Sequence, residues 1–213
     1  MLFRSTFLGA AAQTARQAID AGLIGEVNSF ALSVNRDNAF LTSFFPFLNQ
    51  PSGGAGYDYA VYCLTVLVSL LGPVSRVAAF VDAPYPTHED VNPRSPTFGR
   101  SISTPNESRI SAALRLASGV TGTLHADHDS HLDDQSFFAV YGTKGILFLP
   151  CSNDFGGEVR LLPNHAFDRP AEPARTLDCA FPFAENSRGV GPAEMAWSIR
   201  KNRPCREIGR AHV

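Results

Sequence analysis

The sequence lacks the long apolar runs, cysteine motifs and charge excess that would point to a membrane protein, a disulfide scaffold or a nucleic-acid binder. A bilayer-spanning helix needs about 18 apolar residues, and the longest stretch, Val61 to Leu71, is shorter and interrupted by Thr65 and Ser69. The four cysteines form no CxxC pair, which disfavours a disulfide framework or a zinc ribbon and favours reduced thiols in the cytoplasm. A net charge of -2 gives no general attraction to nucleic acid or to anionic membranes.

Both ends of the chain resemble translated sequencing-adapter DNA. The string "MLFRS" is the translation of gtg-ctc-ttc-cga-tct, and "EIGRAHV" is that of gag-atc-gga-aga-gca-cac-gtc. The first residues also contain no continuous apolar core of the signal-peptide type. The alternative is a pair of natural termini that match by chance. We expect residues 1–5 and 207–213 to be adapter-derived scars, and residues 6–206 to be part of a longer protein.

The apolar patterns predict an α+β fold with a mostly antiparallel sheet. Helical spacing appears from Ala12 to Leu23, and the segment from Asp58 to Leu71 is apolar nearly all round, as in a buried helix. Strands are predicted at 26–34, 74–81 and 156–162, and hairpins at 108–126 and 136–150. Neither an internal repeat nor a linker divides the chain, so we expect one core, with the buried helix covering one face of the sheet.

Three segments are less regular. Asn35 to Ser52 is rich in Phe and is predicted to be a loop, and Ala83 to Glu107 to be a surface loop or an insertion with unseen strands. The last element, Gly189 to Lys201, is predicted to be a helix capped by Asn186 or Ser187. Its apolar surface is expected from three side chains: Met195, Trp197 and Ile199.

The string "GGAGYDYAVYCL", from Gly53 to Leu64, raises the question of a phosphate-binding loop. A dinucleotide fingerprint requires three spaced glycines after a strand, with an acid about 20 residues later. Here Asp58 stands at the predicted start of the helix, where its carboxylate would repel a pyrophosphate. The pattern therefore disfavours phosphate binding.

Asp58 and Tyr62 are four residues apart, so they share one face of the predicted helix. One interpretation is structural: an acid that interacts favourably with the helix dipole, and a tyrosine in the core. The other is catalytic: an acid that orients a proton-transferring hydroxyl. A tyrosine ordinarily titrates near pH 10, so it needs a nearby cation to act as a base near neutral pH.

The string "HADHDSHLDD", from His125 to Asp134, resembles a metal cluster. On a strand, His125, Asp127, Asp129 and His131 would share one face. No HExxH motif or closed set of ligands is present, so the prediction is no bound metal and a polar wall lining a substrate cleft. Ordinary solvated strand edges have the same composition.

Four motifs in order resemble the C-terminal part of the Gfo/Idh/MocA oxidoreductases, a family named after glucose–fructose oxidoreductase, inositol dehydrogenase and MocA. They are "FLGAAAQTARQAIDAGLIGEV", "GGAGYDYAVYCLTVLVSLLGPVSRV", "VYGTKGILFLPCSNDFGGEVRLL" and "ENSRGVGPAEMAWSIRKNRP". The resemblance extends from Thr6 to about Arg206. It implies a large open sheet with helices on one face, acting as the substrate and oligomerisation domain of an NAD- or NADP-dependent enzyme. The nucleotide-binding domain that precedes this segment in the family, with its E-K-P lysine, is not in this sequence.

The resemblance also implies roles for individual residues. Asp58 falls on the family's acid, and Tyr62 falls on a position held by His or, in some subgroups, Tyr. Whether Tyr62 or the family lysine is the general base stays open. Gly54 is expected to leave room for the substrate or the nicotinamide ring.

Candidate contacts to sugar hydroxyls are Asn35, Arg36, Asp129 and His131, which solvated loop residues would explain equally well. The implied substrate is a sugar, a polyol or a related cyclic alcohol, and the implied partner is a second copy bound through the open sheet. Two other classes remain open: a non-catalytic sheet module for dimerisation or ligand binding, and a metal-dependent sugar-binding enzyme that uses His125 to His131.

Overall fold

A large twisted sheet with helices on one face forms the centre of the molecule. The computed structural model describes residues 4–130, 136–165, 170, 172–179 and 181–206. The helices in this part are α1 (Ala10–Asp20), α2 (Asn38–Phe44), α3 (Val61–Leu71) and α4 (Val190–Arg200). In the described ranges, none of them has the length and apolar character that a membrane crossing requires.

The strands of the described part are β1 (Val27–Asn35), β2 (Val74–Asp82), β3 (Thr87–Glu89), β4 (Ser101–Ser103), β5 (Arg109–Leu116), β6 (Thr121–Asp127), β7 (Phe137–Gly142), β8 (Gly145–Leu149), β9 (Arg160–Pro163) and β10 (Arg175–Thr176). Eight of them form one sheet in the order β10-β9-β8-β7-β1-β6-β5-β2, while β3 pairs only with β4. Only β1 and β6 are parallel, and the other neighbours in the large sheet are antiparallel. This confirms the predicted α+β class with a mostly antiparallel sheet.

The core lies between the inner face of the sheet and the helices α1 and α3. Alternate residues of the strands point inward, among them Leu32, Leu124 and Leu147, and all three are buried. A fully buried leucine contributes about 2 kcal/mol through removal of apolar surface from water. The predicted coverage of one sheet face by the buried helix is confirmed.

Helix α1 packs closely because its buried face is made of small side chains, including Ala11, Ala15 and Ala18. At its other face, Arg16 donates to the carbonyl oxygens of Ser69 and Leu70, at 3.2 and 3.1 Å. These carbonyls belong to the last turn of α3, where a helix lacks internal donors and where its dipole favours a cation. Arg16 therefore joins the two helices as well as capping one of them.

The outer face of the sheet carries a row of small side chains across five neighbouring strands. In register order these are Ala139, Ala31, Thr123, Ala113 and Ala78. Thr123, Ala113 and Ala78 are exposed, and Phe80 on the edge strand β2 is 84% exposed. The face is flat at its centre and apolar at its edge.

Of the two irregular segments, the prediction for 35–52 was wrong in detail, whereas that for 83–107 is confirmed in its second form, an insertion that contains strands. The Phe-rich segment from Asn35 to Ser52 is not only a loop, because it contains α2 and a 3-10 turn at Pro46–Asn49. The carboxylate of Asp37 accepts the backbone N–H of Phe40 and caps α2. Four side chains of this segment remain 40 to 56% exposed: Phe40, Phe44, Phe45 and Phe47. The segment from 83 to 107 is an excursion that contains the small β3–β4 sheet.

Helix α4 was predicted in the right place with the wrong face and the wrong cap. Gly189 occupies the capping position, and neither Asn186 nor Ser187 provides a side-chain cap. Trp197 is 50% exposed and Ile199 is 76% exposed, so the expected apolar surface faces outward. The buried face contains Glu194, which Arg203 contacts at 2.7 Å and Arg206 at 3.0 Å. These two guanidinium groups hold the pKa of the Glu194 carboxyl well below its usual range.

Candidate active site

The C-terminal ends of β1, β6 and β8 lie at the same end of the sheet, which we call the edge. They meet the turn that precedes α3 there. Arg36 directly follows β1, and His128 directly follows β6. Because β1 and β6 are parallel, both residues leave the sheet at the same edge. Tyr59 lies between them: the Arg36 guanidinium carbon is 4.0 Å from the centre of the Tyr59 ring, and the His128 ring centre is 6.2 Å from it. The Tyr59 hydroxyl reaches the sulfur of Cys151, after β8, at 2.8 Å.

Tyr62 is the best-connected hydroxyl of this edge. Its side chain is almost buried, with 9% exposed, and its ring centre is 6.1 Å from that of Tyr59. Arg4 donates to its hydroxyl oxygen at 2.8 Å and Arg188 donates at 3.3 Å. Arg4 lies in the segment predicted to be adapter-derived, whereas Arg188 lies in the part predicted to be native. The structure therefore places a guanidinium group directly at the Tyr62 oxygen.

Asp58 lies in a π-helical turn, Gly56–Ala60, that precedes α3. The predicted helix from Asp58 to Leu71 is therefore correct in position but not regular at its start. Burial raises the pKa of the Asp58 carboxyl above its usual value, and the charges of Arg4 and Arg36 oppose that effect. The half-buried carboxyl group thus lies within electrostatic reach of Arg36, at the edge that also carries Tyr62. π-turns of this kind are frequent at functional sites.

The glycine turn before Asp58 is filled by a carboxylate of the protein itself. Glu107 accepts the backbone N–H of Gly56 through its side chain at 3.1 Å, and the N–H of Ala55 through its carbonyl at 2.9 Å. A Cβ atom on Gly54 would collide with the Glu107 carboxylate. The space that this glycine provides is therefore used by Glu107, which satisfies free N–H groups at the helix start. A second carboxylate beside Asp58 adds to the argument against a pyrophosphate at this turn.

His128 is a buried neutral group at the centre of this edge. It is 3% exposed, and its Nε2 atom has no hydrogen-bond partner among the described residues. Burial and, to a smaller extent, the Arg36 charge lower the pKa of His128 to about 4, although the Asp127 charge opposes both. The imidazole therefore stays uncharged near neutral pH and adds no cation beside Arg36.

Asn35 and Asp129 lie at the same strand ends as Arg36, because Asn35 pairs with Asp127 and Asp37 bridges to Asp129, but their side chains bind other partners. Asn35 donates to Ser130 at 3.1 Å, and Asp129 accepts the hydroxyl of Ser108 at 2.6 Å. His131 lies outside the described residues. Of the four predicted sugar contacts, Arg36 is the one that the structure brings to Asp58. Among the described residues there is no group of three metal-ligating side chains.

Sequence reasoning missed Arg188, Glu107 and Asn153. Arg188 donates to both the carbonyl and the side-chain oxygen of Asn153, at 3.2 and 2.9 Å, in addition to Tyr62. Arg188 and Tyr62 are 126 positions apart, so no local periodicity could connect them. The Arg-Gly pair before the last helix, Arg188 and Gly189, is only a weak signal by itself.

We predict that Gly54→Ala destabilises the protein by about 1 to 3 kcal/mol, because the new methyl group forces the Glu107 carboxylate out of its position. Urea denaturation of Gly54→Ala, Glu107→Ala and the double variant measures the coupling between the two sites. Gly189→Ala is the matched control, since a Cβ there meets open space. A cost for Gly54→Ala that is unchanged in the Glu107→Ala background would contradict this account.

We predict that the stability falls as the pH is lowered from about 6.5 to about 4 through the titration of His128. The unfolded chain binds a proton in this window and the folded protein does not, so the free energy of unfolding decreases, by roughly 3 kcal/mol at most. Denaturation curves at several pH values measure the slope. His128→Phe, which keeps a ring against Tyr59, should flatten it, while the exposed control His165→Asn should not. An unchanged slope in His128→Phe would show that other groups cause the effect.

The comparisons with known proteins agree with this architecture. The model of the GFO/IDH/MocA C-terminal domain matches residues 12–148. A comparison with curated proteins found no match. A levoglucosan dehydrogenase in complex with NADH and L-sorbose superimposes with a TM-score of 0.71 at 19% identity, over 93% of this chain and 56% of that one.

Two further structures show the same fold. An NAD binding oxidoreductase from Klebsiella pneumoniae has a TM-score of 0.70 at 19% identity, over 95% of this chain and 57% of that chain. An inositol dehydrogenase homolog from Azotobacter vinelandii, complexed with NADH and myo-inositol, has a TM-score of 0.60 at 12% identity, over 88% of this chain and 44% of its own. This chain thus spans about half of the length of these three structures, from 44% to 57%. Since the family model covers well over half of its residues, the chain belongs to the GFO/IDH/MocA C-terminal domain family.

Proposed function

We propose that this chain is the substrate domain of an NAD- or NADP-dependent oxidoreductase that acts on a sugar, a polyol or a related cyclic alcohol. The observation that carries the proposal is the nearly buried Tyr62 hydroxyl with the Arg188 guanidinium at its oxygen, at the edge where Asp58 lies within electrostatic reach of Arg36. Two similar structures are complexes with NADH and either L-sorbose or myo-inositol. Both ligands are polyhydroxylated, which agrees with a site made of hydroxyl, carboxyl and guanidinium groups.

In this proposal, residues of this chain accept the proton of the substrate hydroxyl and orient the groups around it. Tyr62 accepts that proton directly, or passes it to a lysine of the upstream half, while Arg188 stabilises negative charge on the Tyr62 oxygen. Asp58 accepts a hydrogen bond from a neighbouring substrate hydroxyl, or orients Tyr62. NAD or NADP, held by the rest of the complete enzyme, would supply the hydride acceptor for the substrate carbon that carries this hydroxyl.

The glycine turn of this chain does not fit the phosphates of the cofactor. Two carboxylates, Glu107 and Asp58, already lie at the helix start, where a pyrophosphate would need free N–H groups and no negative charge. We therefore place the phosphate-binding residues in the upstream half of the parent protein. A position of Gly54 beside the nicotinamide ring stays a prediction.

A non-catalytic sheet module is the second candidate, and the observation that favours it is the flat outer face of the sheet. The contiguous gene sequence separates the two: a G-x-G-x-x-G fingerprint and an E-K-P lysine upstream support the enzyme, and their absence supports the module. The four cysteines are thiols rather than disulfides, which agrees with a reducing compartment, and the cytoplasm stays the proposed location.

We predict that this chain alone shows no NAD(P)H-linked turnover, and that Tyr62→Phe in the complete parent lowers kcat by about 10² to 10⁴-fold, because the proton acceptor is lost. Initial rates on a panel of sugars and polyols measure both. Tyr85→Phe is the matched control, since that ring is 62% exposed and should leave kcat unchanged. Turnover by the chain alone, or full activity of Tyr62→Phe in the parent, would sink the proposed mechanism.

We also predict that this chain self-associates through the outer face of the sheet. Thr123→Arg places a charge in the row of small side chains and should shift the sedimentation coefficient to that of a monomer. Thr87→Arg, exposed on the separate small sheet, should not. A wild-type protein that sediments as a clean monomer contradicts the prediction. Association that persists in Thr123→Arg would place it elsewhere, such as the exposed phenylalanines of the segment from 40 to 47.

A further inference from the structure

A polar cavity lies next to Arg188, the residue that also contacts the Tyr62 hydroxyl. It has a volume of about 430 Å³, within the range of small-ligand sites. Its walls are two segments that are distant in sequence: residues 153–157, which follow β8, and residues 184–188, which precede α4. Arg188 belongs to both places, because one of its terminal nitrogens donates to Tyr62 and the other to Asn153.

The two walls are held in place by the start of helix α1. The N–H of Ala11 donates to the carbonyl oxygen of Phe155 at 3.0 Å, and that of Ala10 donates to Phe183 at 3.3 Å. These N–H groups have no partner within a helix, so the loops act as its cap. A Cβ atom on Gly156 would collide with the backbone of Ala184, which shows how closely the two walls approach. The cavity is thus formed without a ligand.

The chemistry of the lining selects a neutral, hydroxyl-rich ligand. Four side chains besides Arg188 offer amide or carboxylate groups: Asn153, Asp154, Glu185 and Asn186. With two acids and one arginine, the cavity has a net charge of -1, which disfavours phosphates and carboxylates. Carboxylate and amide oxygens accept from hydroxyl groups, while amide nitrogens and the guanidinium donate to them. Such a mixture of planar donors and acceptors suits the neighbouring hydroxyls of a saccharide ring.

The position of Arg188 connects this cavity to the reacting hydroxyl. The same guanidinium contacts the Tyr62 hydroxyl through one terminal nitrogen and Asn153 of the cavity through the other. We propose that the cavity is a second saccharide subsite, and that the substrate is a two-ring saccharide or glycoside, with the reacting ring at Tyr62 and the second ring against residues 153–157 and 184–188. This inference rests on the proposed function, because it takes Tyr62 as the reacting end.

The test is a titration of the ¹⁵N-labelled 213-residue chain with methyl β-glucopyranoside as the single-ring probe, and with cellobiose and maltose as two-ring probes. At least one two-ring probe is expected to shift the amide signals of Tyr62 and of both cavity walls. It should bind at least tenfold more tightly than the single-ring probe.

The double variant Asp154→Asn with Glu185→Gln keeps the size of both side chains and removes both charges. It should bring the affinity for the two-ring probe to within about twofold of that for the single-ring probe, which should itself be unchanged. Glu172→Gln, exposed and outside the cavity, is the matched control. The amide spectrum of each variant shows whether it is folded, and if the double variant is not, Asp154→Asn alone is used.

The outcomes separate the two proposals. Shifts at Tyr62 without shifts in the cavity, or equal affinities for one-ring and two-ring probes, overturn the second subsite and leave the proposed function standing. Shifts in the cavity without shifts at Tyr62 overturn the connection between the two places. The absence of shifts at both places with all three probes counts against both proposals.

Discussion

The parallel pairing of β1 with β6 is the constraint on which the candidate site depends. All other neighbouring strands of the large sheet are antiparallel, and a purely antiparallel neighbour would send Arg36 and His128 to opposite edges. Hydrogen bonds continue the pairing beyond the strands, from the Arg36 N–H to Asp127 and from the Asn38 N–H to His128. Tyr59 can therefore contact both residues at once. The edge is assembled from chain segments almost 100 positions apart.

The sequence allowed most of the sheet and two of the main helices to be predicted, because these elements carry a local period. Alternating residues in β1 and in the two hairpins, and helical spacing in α1 and α3, reflect one buried face each. Helix α2 was missed because its buried residues are Thr42 and Ser43 while its phenylalanines are exposed. Helix α4 was assigned the wrong face for the related reason that Glu194, buried through its two arginines, is the residue that a hydrophobicity pattern assigns to solvent.

The site could be predicted only in part. Asp58 and Tyr62 are four residues apart, so their common location follows from helical geometry alone. Arg188, Glu107 and His128 reach the same region through the tertiary fold, and nothing in their neighbouring residues indicates where they go. The glycine turn illustrates the difference: its composition suggests a ligand, whereas the fold places the Glu107 carboxylate in the space that the glycines leave. Long-range contacts of charged side chains are thus the part that local patterns do not contain.

The excursion between β2 and β5 ends at Glu107, and this has a consequence for how the protein can vary. Its tip is supported by α2, where Ser43 accepts the N–H of Val91, and its last residue holds the turn that carries Asp58. The excursion is held at further points as well, because Asp90 is buried and Asn106 donates to the carbonyl oxygens of Leu48 and Gln50. A loop grafted in place of the excursion would therefore have to restore the Glu107 contact with Gly56 to keep the turn of Asp58 in its present geometry.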